Sequence, residues 1–190
     1  MQRIDYTDQV FEGYFPEIGT KESQFDGCTF KNCDLTAVSF FGCDFLNCSF
    51  LNCNLSMVKF ANNGFDQVHF AHCKMMGVDF SPAKDFLFHI DFTDCILDYA
   101  GFMKKKNRKA LFTSCSLKGT EFSGADLTES RFERCDLINA VFIETVLAGV
   151  DFSSSFNFNI DPEQNILKKA KFSPDGLIGL LHKYGIIVEQ

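Results

Sequence analysis

The sequence predicts an all-β solenoid with four-sided coils, a quadrilateral β-helix. Three observations carry this: a large apolar residue at every fifth position, a small one two places before it, and a recurrence of residue identity at steps of twenty. In steps of five the chain reads Phe25, Phe30, Leu35, Phe40, Phe45, Phe50, Leu55, Phe60, Phe65, Phe70, Met75 and Phe80 without a miss. A lone helix, with its period of 3.6, or a lone strand, with its period of 2, does not produce that spacing. Short stacked repeats do, because each contributes one side to a shared core.

The number of sides follows from identity at longer steps. With two inserted residues allowed after Phe80, one column reads Phe30, Phe50, Phe70, Phe92, Phe112, Phe132 and Phe152. A second reads Phe40, Phe60, Phe80, Phe102, Phe122 and Phe142, and a third Leu35, Leu55, Met75, Leu97, Leu117 and Leu137. Steps of fifteen mix these types, so one coil has four sides of five residues. The centres from Phe25 to Phe152, with Leu87 and Asn107 counted among them, predict between six and seven coils.

Two places before each centre lies a small inward position, and all nine cysteines occupy it. In the Leu/Met column this position is always cysteine: Cys33, Cys53, Cys73, Cys95, Cys115 and Cys135. Close packing pairs a slimmer centre with this residue. These six thiols and the Phe column form the predicted core ladder, buried and reduced. The residue between small place and centre is often polar, as in Asp34, Asp44 and Asp136, which fits extended backbone alternating between core and solvent. The two places after the centre carry Gly, Asn, Ser, Thr and Asp, which accept tight turns.

Along the chain, residues 1–22 read as a cap over the N-terminal end, with Val10 and Phe15 keeping the five-residue phase. An open parallel edge needs such cover. Residues 23–155 form the solenoid. Ser81-Pro-Ala-Lys-Asp85 breaks the phase, which resumes at Leu87, so a two-residue bulge near 81–86 is expected at one corner. In Lys104-Lys105-Lys106-Asn107-Arg108-Lys109 the count is kept, yet Asn107 takes a centre and Lys105 a small inward place. One side of that coil is therefore expected to be weakly packed or pushed outward. Residues 156–190 form a C-terminal segment, with Ser173-Pro174 opening a short α-helix over about 174–184 and Gly185 ending it. Leu177, Leu180, Leu181 and Tyr184 fall on one face of that helix.

Composition narrows the function. The 190 residues include 24 Phe and no Trp, and 46% are hydrophobic, ample for a core. No apolar run approaches the roughly 20 residues of a membrane span, and no signal-peptide segment follows Met1, so a soluble cytoplasmic protein is expected. Nine thiols at packing positions suit a reducing compartment. His69, His72, His89 and His182 are scattered, the cysteine spacing is that of packing, and neither a phosphate loop nor a nucleophile motif occurs. The expectation is no enzyme, no metal and no cofactor. The net charge of −7 disfavours direct nucleic-acid binding, although residues 101–115 hold five basic residues and no acidic one.

Runs such as Cys33-Asp-Leu-Thr-Ala37, Cys53-Asn-Leu-Ser-Met57, Ala125-Asp-Leu-Thr-Glu129 and Cys135-Asp-Leu-Ile-Asn139 resemble the pentapeptide-repeat family. That resemblance implies a right-handed β-helix with parallel stacking. The end of the chain is similar to that of the quinolone-resistance members, the Qnr group, and their mycobacterial relatives. Those are rod-like dimers that mimic duplex DNA and bind type II topoisomerases, which implies DNA gyrase or topoisomerase IV as partner. Candidate partner-binding residues are the outward acids Asp44, Asp79 and Asp91 and the basic corner Lys104, Lys106, Arg108 and Lys109. A general interaction or scaffold module is the alternative, with outward Phe41, Leu46, Leu51, Met57 and Met76 as a contact patch. A homodimer through Leu177, Ile178, Leu180, Leu181 and Tyr184 is expected, with Ile186, Ile187 and Val188 adding apolar surface.

Overall fold

The computed structural model describes residues 3–15 and 20–186. Its strands are β1 (Ile4–Thr7), β2 (Val10–Glu12), β3 (Ser23–Asp26), β4 (Thr29–Lys31), β5 (Ser39–Phe41), β6 (Asp44–Leu46), β7 (Ser49–Leu51), β8 (Lys59–Ala61), β9 (Gly64–Asp66), β10 (Val68–Ala71), β11 (Ile90–Thr93), β12 (Leu111–Thr113) and β13 (Arg131–Glu133). Every pairing among them is parallel, and the partners are one coil apart: Phe30 faces Phe50, Phe50 faces Phe70, and Phe70 faces Phe92 across the inserted residues. The chain is a four-sided parallel β-solenoid of about six turns.

The four sides can be followed separately. The first stacks β1, β3, β6 and β9, and the second stacks β2, β4, β7, β10, β11, β12 and β13. The third is a ladder of single bridges joining Asp34, Asn54, Lys74, Ile96, Ser116, Asp136 and Phe156. The fourth pairs β5 with β8 and continues by bridges through Asp79, Gly101, Glu121 and Val141. Strands are three or four residues long because a side is only five. Most corners then turn through a left-handed residue, as at Asn32, Ala37, Asn47, Asn52 and Met57, with φ between 52° and 60°. Asn tolerates that region well, whereas Ala and Met sit there at a cost of about 1–2 kcal/mol; Gly42 and Gly77 occupy it without strain.

Inside, the alternation of burial along each side sends centre and small residue inward. On the second side the rings of Phe11, Phe30, Phe50, Phe70, Phe92, Phe112, Phe132, Phe152 and Phe172 stack with centroid separations of 4.4–5.5 Å. Rings of adjoining sides meet edge to face, Phe112 and Phe122 at 89° and Phe122 and Phe132 at 90°. Offset stacks and edge contacts are the favoured arrangements of aromatic quadrupoles, so one column of Phe packs on the next without a void.

Both ends differ from the expectations. At the N-terminus β1 and β2 continue the ladders, and the register puts Tyr6 under Phe25 and Phe11 under Phe30. The core phase there runs through Tyr6 and Phe11 at a spacing of nineteen, and Val10 points to solvent. Phe15 does turn inward, against Phe11, Phe25, Phe30 and Phe40. At the other end parallel bridges reach Lys171, and Phe158 and Ile160 cover the last layer.

No α-helix follows. Asp175–Leu180 and His182–Tyr184 are 3₁₀ helices, the second ending in left-handed Gly185. In a 3₁₀ helix residues three apart eclipse, which brings Gly176 and Gly179 onto one row against Phe158. A Cβ on Gly176 would fall 2.9 Å from the Phe158 ring, and one on Gly179 would collide with the Phe158 carbonyl oxygen. The backbone therefore lies directly on the ring, and Ile160 N–H donates to Gly179 C=O at 3.0 Å.

Candidate interaction surfaces and family

The two sequence irregularities prove to be one structure. The coil with the insertion bulges at residues 84–88 on the first side, where the sheet ends at β9 and bridging resumes at Lys106 with Asp126. Directly above it pass Lys105 and Asn107, both buried. Lys105 Nζ donates to Ala83 C=O and to Asp85 Oδ1, each at 2.6 Å, and lies 5.5 Å from the Phe88 ring centroid. Asn107 accepts from Ile90 N–H at 3.0 Å and donates to Ile90 C=O at 2.9 Å. Side chains thus make the bonds that the ladder makes elsewhere. The expectation that this side is weakly packed or pushed outward is overturned: buried polar groups are stable when every one is hydrogen-bonded. Leu87 is a left-handed corner residue exposed to solvent, and Phe88 fills the core in its place.

The same chemistry explains the cysteines more fully than volume does. All nine are reduced thiols and buried. Cys53 Sγ donates to Phe30 C=O at 3.4 Å, Cys73 to Phe50 C=O at 3.3 Å and Cys135 to Phe112 C=O at 3.2 Å, each one layer below. Where the small place holds another polar residue, as at Thr120, Ser130, Thr145, Ser155 and Asn165, it bonds the layer below in the same way. Wherever its occupant is polar, the small place is therefore a rung that binds adjacent coils. Burial pushes the Cys48 thiol up to about 12 and the Cys33 thiol, with neighbouring Cys53 adding to the effect, to about 11.

The predicted partner-binding residues do not converge. Asp44 lies on the first side, Asp91 on the second and Asp79 on the fourth. Asp44 is held by Arg3 at 3.0 Å and Lys84 at 2.6 Å. Asp79 accepts from Ser81 N–H, and Asp91 from Leu111 N–H. Burial opposes ionisation of Asp91, yet His89 and that N–H outweigh it and hold the carboxyl below its ordinary value. Arg108 is paired with Asp126 and Lys109 with Glu129, while Lys104 and Lys106 are exposed with no acid within 4.0 Å among the described residues. The proposed apolar patch is likewise split: Phe41, Leu46, Leu51 and Met57 lie on four different sides.

At the C-terminus Leu177, Ile178, Tyr184 and Ile186 are exposed, and Leu180 packs on the core. Ile187 and Val188 lie outside the described residues. Lys183 Nζ reaches Asp161 at 2.7 Å and Glu163 at 2.6 Å, and Tyr184 O–H donates to Glu163 at 3.0 Å, which clamps the 3₁₀ segment to its own chain. The clamp was not visible in the sequence, since its members are about twenty residues apart; that separation is one coil. Among the described residues no group of three or more His, Cys, Asp or Glu could hold a metal ion. No helix among them is long and apolar enough to cross a membrane.

Family models agree with this architecture. The pentapeptide repeat region model matches residues 23–102, and the model for pentapeptide repeats in eight copies matches 108–142 and 125–156. The chain belongs to the pentapeptide-repeat family. No curated protein matches the sequence. Among solved structures, this pentapeptide-repeat protein is similar to a trypsin-treated variant of QnrB1, a plasmid-mediated fluoroquinolone resistance protein, at TM-score 0.58 and 20% identity over 98% of both chains. A second trypsin-treated QnrB1 variant matches at TM-score 0.58 and 20% identity over 100% of both. HetL, a pentapeptide-repeat protein involved in heterocyst differentiation regulation from the cyanobacterium Nostoc, gives TM-score 0.36 at 16% identity over 91% of this chain and 88% of its own.

Proposed function

We propose that this pentapeptide-repeat protein works by binding and not by catalysis, as a DNA-mimicking ligand of a type II topoisomerase, DNA gyrase or topoisomerase IV. The observation that carries this reading is the end-to-end match to QnrB1, itself a fluoroquinolone resistance protein. The net charge of −7 is a second support, since a DNA-binding saddle is basic and attracts an acidic rod. Such a partner places the protein in the cytoplasm. A gyrase supercoiling assay with a fluoroquinolone tests the reading. The expected result is restored supercoiling, or inhibition of supercoiling by the protein alone; indifference of the enzyme to a large excess of protein overturns it.

A general scaffold role is the second reading. It is favoured by the dispersal of Asp44, Asp79 and Asp91 over three sides and by exposed apolar residues on the third, Met57, Met76, Ile96 and Tyr99. The same assay separates the two. Under either reading the protein is a homodimer through its C-terminal segment: the inner surface of the 3₁₀ helix caps its own chain, and exposed Leu177, Ile178, Tyr184 and Ile186 face outward for a second copy.

A further inference from the structure

We propose that the bulge at residues 84–88 is a protein-docking element, with Phe86 as anchor, for a partner that offers an apolar pocket rimmed by carboxylates. This goes beyond the topoisomerase reading and stands without it. Phe86 is 80% exposed and Leu87 beside it 54%, the largest outward apolar step on the first side. A Phe on a short insertion normally folds back onto the nearest apolar surface, because leaving it in water forgoes about 1.5–3 kcal/mol. Here that place is taken. Phe88 occupies the interior beneath the bulge, stacked edgewise on Phe65 and Phe80.

The bulge is also tied at both ends. Lys105 bonds Ala83 and Asp85 from inside, Lys84 N–H donates to Asn63 C=O at 2.8 Å while its ammonium meets Asp44, and Asn107 fixes Ile90. A loop fixed in this way loses little conformational freedom on docking, which is what makes an exposed aromatic an effective anchor. Charge selects the partner. The stretch 104–109 passes over the bulge, and Lys104 and Lys106 carry no carboxylate within 4.0 Å among the described residues, so acidic groups on the part of the rim that faces this coil would meet cations, while Asp44 and Asp66 line the groove on the other side of Phe86.

The test places the photo-crosslinking residue p-benzoylphenylalanine at position 86, and at exposed Lys59 as control, in the cells that make this protein. A single protein captured from position 86 alone is identified, purified and titrated against wild type, Phe86→Ala, and Lys104→Glu with Lys106→Glu. Binding weakened about tenfold or more by Phe86→Ala, weakened by the double charge reversal, and weakened further at higher salt is the expected result. No adduct specific to position 86, or an adduct partner whose affinity Phe86→Ala leaves unchanged, overturns the proposal. Phe86 is exposed, so loss of folding does not confuse the reading, and circular dichroism of each variant confirms it.

Discussion

Lys105 joins two consecutive coils through the interior: its ammonium is 2.6 Å from Asp85, and its side chain is only 4% exposed against 73% for that partner. The two ends of this bond differ in what replaces them. In Lys105→Met the buried Ala83 carbonyl loses its donor, at a cost of about 1–3 kcal/mol. In Asp85→Ala the ammonium stays buried without its counter-charge, and the cost is about 3–5 kcal/mol. Urea unfolding of both variants checks the order, with Asp85→Ala the costlier; an equal or reversed effect would place the energy in the carbonyl bond and not in the charge pair.

Truncation in the stacked column should be far costlier. Phe70 stacks on Phe50 at 4.7 Å and on Phe92 at 5.4 Å, and Phe112 on Phe132 at 4.6 Å. Each layer is fixed by its neighbours, so the cavity left by Phe70→Ala or Phe112→Ala cannot collapse, and about 3–5 kcal/mol is lost. Thermal or urea unfolding measures this, and losses below about 1 kcal/mol at both sites would contradict the assigned core.

All nine thiols should resist a thiol reagent at pH 8 in the native state and react on unfolding in urea. They are buried, which keeps the reagent out, and at Cys28 and Cys43, as at Cys33 and Cys48, burial also pushes the thiol above its ordinary value, so at these four the reactive thiolate is scarce. Rapid labelling of native protein at Cys53 or Cys73 would remove them from the interior.

The C-terminal clamp should open in acid. Lys183, through its hydrogen bonds, holds the carboxyls of Asp161 and Glu163 below their ordinary values. A depressed folded value contributes stability that is complete above the unfolded value and is lost as pH falls through the folded one. The 3₁₀ segment is therefore expected to stay protected from amide exchange down to about pH 4.5 and to lose protection below it. Lys183→Met should remove this pH dependence. Gly179→Ala should displace the segment at every pH, because its Cβ meets the Phe158 backbone.

Sedimentation checks the dimer. A mass of twice 21.5 kDa at micromolar concentration is expected, falling to the monomer when Leu177 and Ile178 are both replaced by Asp. A monomeric wild type ends the proposal.

The solenoid was legible because its signal is redundant. The column from Phe30 to Phe152 repeats one packing environment at every layer, so each Phe is evidence for the next. Legibility failed where a residue is decided by a neighbour one coil away. Leu87 lies five residues before Phe92, in phase, and Phe88 only four, yet the turn at residue 87 needs a left-handed corner and sends Leu87 outward. The basic corner read as surface charge, and only the stacking of Lys105 over Asp85 made it interior. Its signal was present in the spacing, since Asn107 is the one polar centre in its column and follows the broken coil directly. The same holds for Val10 and Phe11, where a coil of nineteen residues shifts the phase by one.

By itself the sequence determined the period, the four sides, the inward Phe and Cys columns and the family, because each depends on contacts between residues of like position, which repetition makes plain. The tertiary structure decided the rest: which side the bulge leaves, what fills the space beneath it, and that the C-terminal segment winds as a 3₁₀ helix. Those depend on single contacts between layers, Lys105 with Asp85 and Gly179 with Phe158, whose geometry exists only once the coils are stacked.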